Sequence, residues 1–66
     1  MNIEKSILRG LVESEMSKSE LAKELGISPT SVSRILKDKS CSIHRLQDFA
    51  EIFSVKVHEF IRWGEG

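Results

Sequence analysis

One cysteine, one proline, four glycines and a net charge of zero leave this chain without several common sources of chemistry. The lone Cys41 excludes an internal disulfide framework and fits a reducing cytoplasm. No apolar run approaches the roughly 18 residues that crossing a bilayer requires, so no membrane partner is expected. Nor does a charged start followed by an apolar segment mark a secretory leader. The glycines (Gly10, Gly26, Gly64 and Gly66) are too scattered for a loop that cradles phosphates. Cys41 and His44 have a C-x-x-H spacing, but a zinc site needs four ligands and His58 is the only other histidine. The carboxylates are spread at helical surface spacing, which reads as solubility and local ion pairs rather than acid–base catalysis. The expectation is a non-enzyme with no metal, cofactor or small-molecule ligand.

What is present suffices for one small core. A chain of 66 residues with 39% hydrophobic content is read as a single domain over residues 1–66. A domain of this size buries only about 60% of the surface its unfolded form exposes, so its stability margin is thin. Zero net charge at first argues against a nucleic-acid partner, yet the distribution matters more than the sum. Over residues 1–17 Lys5 and Arg9 face Glu4, Glu13 and Glu15, a net of −1. Over residues 18–45 six cations face Glu20, Glu24 and Asp38, a net of +3, and residues 46–66 carry −2. The positive excess falls on one stretch.

That stretch, KSELAKELGISPTSVSRILK from Lys18 to Lys37, organises the rest. Leu21, Ala22 and Leu25 recur at helical spacing, and so do Val32, Ile35 and Leu36. Gly26 stands between them, where a left-handed residue ends a helix without a Cβ clash. Ser28 can cap the next helix, and Pro29 follows at the first helical position, where a missing N–H costs nothing. Ala22 is small where two helices approach and Val32 fills the angle between them. Two helices joined this closely form a helix-turn-helix, here about residues 18–37.

The second helix has a face without an evident structural task. Thr30, Ser33, Arg34 and Lys37 are spaced i, i+3, i+4, i+7 and point away from Val32, Ile35 and Leu36. Small hydroxyls beside long cations suit a helix in a major groove, where bases and phosphates must both be reached. An ordinary solvated face has the same spacing.

SELAKELGISPTSVSRILKDKS resembles the helix-turn-helix of the lambda-repressor-like (Cro and phage-repressor type) DNA-binding domains. SIHRLQDFAEIFSVKVHEFI is similar to that family's fourth and fifth helices, so the resemblance spans roughly Ile7 to Trp63. It implies a compact all-α, five-helix domain whose third helix enters the major groove of double-stranded DNA. Thr30, Ser33 and Arg34 become the candidate base readers. Ser17, Lys18, Ser28, Lys37, Lys39 and Ser40 become candidate backbone contacts, although Lys39 and Ser40 equally suit a solvated connector. The chain departs from the family pattern at two places. Pro29 stands where a glutamine often reads an adenine edge, and Ser54 and Lys56 stand where glycine and a capping serine are common.

In chain order, Asn2 can cap a first helix over about 3–14, with Ile3, Ile7, Leu8, Leu11 and Val12 on one stripe. Gly10 within it weakens that helix by roughly 0.5–1 kcal/mol relative to alanine. Met16 stands at the corner after it. Ser17-Lys18-Ser19-Glu20 is a capping box for a helix over about 18–25. The third helix covers about 29–37. Ser42 caps a fourth over about 43–53, burying Ile43, Leu46, Phe49, Ala50 and Phe53, with Ile52 partly exposed. The last runs from about 56 to 62, burying Val57, Phe60 and Ile61.

Phe60, Ile61 and Trp63 give the end of the chain a dense apolar signal. Trp63 either folds back over the first helix or joins a self-association surface, for which aromatic anchors are favoured. Self-association fits the way helix-turn-helix proteins bind two half-sites as homodimers. The expected function is therefore a small sequence-specific repressor of the Cro-like type, bacterial or phage-encoded, cytoplasmic and held at the nucleoid when bound. An antitoxin-like protein-binding module and the DNA-binding piece of a recombinase or transposase are the alternatives.

Overall fold

Four side chains standing just before helices accept the backbone N–H groups that each helix start leaves free. Asn2 Oδ1 accepts from Lys5 N at 3.1 Å, and Ser17 Oγ accepts from Glu20 N at 3.1 Å. Ser28 Oγ accepts from Ser31 N at 3.2 Å, and Ser42 Oγ from Arg45 N at 3.3 Å. Ser17 N also donates to Glu20 Oε1 at 3.1 Å, which completes the capping box. Each such cap is worth about 1 kcal/mol. The computed structural model, which describes residues 2–38 and 41–65, places five helices after these signals. They are α1 (Ile3–Glu13), α2 (Lys18–Leu25), α3 (Pro29–Asp38), α4 (Ile43–Ile52) and α5 (Val57–Trp63). None is long and apolar enough to cross a membrane. The last helix starts one residue later than its sequence pattern implies, because Lys56 at its cap makes no side-chain bond there.

Three helices end in the same way. Met16 N returns to Leu11 O at 2.9 Å, Ile27 N to Ala22 O at 3.0 Å and Val55 N to Ala50 O at 2.9 Å. Each return needs a left-handed residue one position earlier, supplied by Glu15 (φ 52°), Gly26 (φ 72°) and Ser54 (φ 57°). Glycine occupies that position without strain, whereas Glu15 and Ser54 hold it against a Cβ penalty. The returning residues Met16, Ile27 and Val55 are apolar and pack on the core.

The core joins Ile3, Ile7 and Leu11 of α1 to Leu21, Ala22, Val32 and Leu36 of α2 and α3. Phe49, Ala50, Phe53 and Phe60 complete it from the α4–α5 side. The Phe49 and Phe60 ring centroids lie 5.6 Å apart, and Trp63 packs 6.2 Å from Phe60 and 6.5 Å from Phe53. Gly10 lies against this aromatic group. A Cβ there would come within 2.5 Å of the Phe53 ring, so the glycine that weakens α1 locally is what lets the ring approach. Asn2 N donates to Gly64 O at 3.3 Å and joins the start of α1 to the end of α5.

Two expected core stripes turn out differently. On α1, Val12 is 74% exposed and Leu8 42%, while Ser6 and Gly10 are buried. The two small residues, four apart, admit neighbouring elements and rotate the buried face away from Leu8 and Val12. On α4, Ile43 is 57% exposed, while Leu46 in the same turn packs against the core. Ile52 is half-buried as its off-stripe position implies.

Candidate nucleic-acid interface

The turn between α2 and α3 is built from both its sides. Ala22 and Val32 are each 1% exposed, and Leu21 is fully covered. Gly26 adopts φ 72°, ψ 29°, with open space where a Cβ would be. Glycine is favoured there by backbone conformation and not by packing. The N–H groups of Gly26 and Ile27 reach back to the Lys23 and Ala22 carbonyls, so the chain turns sharply into Ser28 and the start of α3.

With Val32 and Leu36 buried, the opposite face of α3 is fixed outward. Thr30, Ser33, Arg34 and Lys37 are all exposed on it, and Ile35 on the flank is half-buried. The first turn of α3 holds no acid and its last turn holds Lys37. Among the described residues the ion pairs are Arg9–Glu13 at 2.9 Å and Arg45–Asp48 at 3.9 Å, and neither takes a cation from α2 or α3. Arg34 and Lys37 thus present their charge to solvent. A guanidinium can donate two parallel hydrogen bonds to guanine O6 and N7, and an ammonium suits a phosphate oxygen.

The candidate backbone contacts divide by position. Ser17 and Lys18 are exposed at the start of α2, and the Ser17 hydroxyl already accepts from Glu20. Ser28 is exposed at the start of α3, its hydroxyl 3.1 Å from that of Ser31. Lys39 and Ser40 lie outside the described residues. Cys41, just after them, is half-buried. Burial pushes its thiol above the usual range while Arg45 pulls the other way, which disfavours a reactive thiolate.

Of the three candidate interface residues, Phe60 must be withdrawn. It is wholly buried among Phe49, Phe53 and Trp63, so no second chain can touch it. Ile61 and Trp63 are half-buried. Among the described residues, Leu8, Val12 and Ile43 are the large apolar side chains left in solvent, and sequence reasoning placed them in the core. The paired small residues Ser6 and Gly10 carried the signal that would have moved Leu8 and Val12 outward.

A family model described as Cro/C1-type HTH DNA-binding domain matches residues 7–65. No curated protein and no solved structure matches the chain.

Proposed function

The chain belongs to the Cro/C1-type HTH DNA-binding domain family, and we propose that it is a sequence-specific regulator of transcription, a repressor that occupies its operator as a homodimer. One observation carries this reading: α3 exposes Thr30, Ser33, Arg34 and Lys37 together, opposite a buried Val32 and Leu36. Arg34 reads a guanine edge, Thr30 and Ser33 add single hydrogen bonds to neighbouring bases, and Lys37 holds a phosphate. Pro29 has no amide donor, so base reading begins one residue further into the helix. Ser17, Lys18 and Ser28 meet the backbone beside the groove, and Lys39 and Ser40 extend that contact. Occupancy alone represses when the operator overlaps a promoter, and this requires no catalytic step. The setting is the bacterial or phage-bearing cytoplasm, where such operators lie.

Two copies on a palindrome place their α3 helices about one duplex turn apart, ~34 Å. Selection of bound duplexes from a random pool tests the proposal. The expected result is enrichment of two inverted half-sites at that spacing. Enrichment of a single half-site would remove the two-fold pairing, and an unenriched pool would remove sequence-specific binding itself.

A further inference from the structure

Two surfaces away from α3 match one another. The first follows α1 where the end of α5 meets it. Leu8 and Val12 project from α1 beside the half-buried Trp63, and Lys5 and Arg62 stand at the edges. Glu4 and Glu13 also border it, Glu13 being taken by Arg9 at 2.9 Å. Three cations against two carboxylates leave this shallow apolar patch at +1. The second surface is a groove between α2 and α4. Half-buried Leu25 and Ile52 line it, with Glu24, Asp48 and Glu51 around them, a charge of −3. Only Asp48 among these has an ion-pair partner within the described residues, Arg45 at 3.9 Å.

We propose that the α1–α5 patch of one copy packs over the α2–α4 groove of a second copy, joining this protein head to tail. Apolar side chains left in solvent mark interaction sites when they cluster. Here the partner with matching chemistry is the same molecule. A patch of Leu8, Val12 and Trp63 edged by Lys5 and Arg62 meets a groove of Leu25 and Ile52 edged by carboxylates. The two surfaces share no helix, so one copy offers both at once. α3 lines neither of them, and the face carrying Thr30, Ser33, Arg34 and Lys37 stays open. A heterologous contact of this kind leaves one patch and one groove of each pair free, so further copies can add to it. On DNA it would link neighbouring bound copies beyond the two-fold pair and make occupancy of adjacent sites cooperative. The association itself needs no DNA and stands apart from the operator reading.

The test is sedimentation of the full chain without DNA, at low and high salt, with emission from the single Trp63 as a second readout. The wild type should associate with rising concentration, more weakly at high salt, and the tryptophan emission should shift to the blue. Glu24→Lys with Glu51→Lys reverses the charge of the groove, and Lys5→Glu with Arg62→Glu reverses that of the patch. Each double variant should associate about tenfold more weakly or less while keeping its helical content, because all four positions are at the surface. An equimolar mixture of the two should associate again, since each patch then meets a groove of opposite sign. A wild type that stays monomeric at every concentration and salt overturns the proposal. So does a groove-reversed variant that associates like the wild type, which would place patch against patch. A mixture that fails to recover association also overturns it.

Discussion

Gly10→Ala separates local helix propensity from tertiary packing, because the two give opposite signs. Gly10 lies inside α1, where alanine is favoured over glycine by about 0.8–1.0 kcal/mol. Propensity alone therefore makes the substitution stabilising. The added methyl would stand 2.5 Å from two Phe53 ring atoms and 2.8 Å from a third. The ring cannot swing aside cheaply, being stacked on Phe60 at 6.1 Å and on Phe49 at 6.5 Å, with Trp63 packed against it. Overpacking of a filled core costs about 1–3 kcal/mol. The net expectation is a loss of about 1 kcal/mol, which in a domain this small lowers the thermal midpoint by about 4–8 °C. Thermal and urea denaturation followed by far-UV circular dichroism measure it. A second measurement locates the cause: in a Phe53→Leu background the penalty of Gly10→Ala should shrink or reverse, since the colliding ring is gone. A raised midpoint for Gly10→Ala in the wild-type background would refute the packing argument.

Gly26→Ala should cost about 1 kcal/mol, because φ 72° penalises any Cβ although space for one is open. An unchanged urea midpoint would show the turn to be unstrained. Ser54 holds φ 57° at the end of α4, so Ser54→Gly should raise stability by about 0.5–1 kcal/mol in the same assay. A fall would mean that the serine side chain contributes a contact of its own. The Ser6 hydroxyl is fully buried without a hydrogen-bond partner among the described residues, so Ser6→Ala should stabilise by about 1 kcal/mol, and a lower denaturation midpoint would show that the hydroxyl is satisfied.

The helices were legible because their signals are local. Asn2, Ser17, Ser28 and Ser42 each announce a start within three residues of the N–H they cap. Gly26 announces an end, and the outward face of α3 follows from Val32 and Leu36 by periodicity alone. The face that α1 buries was not legible in this way. It depends on Phe53, forty-odd residues later, pressing on Gly10, so a stripe drawn through Leu8 and Val12 faced the wrong direction. Phe60 was misjudged for a related reason. Its neighbours Phe49 and Phe53 lie on another helix, and their joint packing leaves no aromatic surface for a partner except at Trp63.

The most direct test of the central claim, that the exposed face of α3 reads DNA sequence, is titration of Arg34→Ala. Selected operator and scrambled duplex would be compared at several salt concentrations, with Lys37→Ala alongside. Loss of a bidentate base contact should cost about 1–3 kcal/mol per half-site on the operator, relax preference at one base position and leave scrambled DNA nearly unaffected. Lys37→Ala should weaken binding to both duplexes alike and reduce the salt slope by about one unit per contact. If Arg34→Ala weakens operator and scrambled DNA equally, Arg34 holds a phosphate and the reading face lies elsewhere.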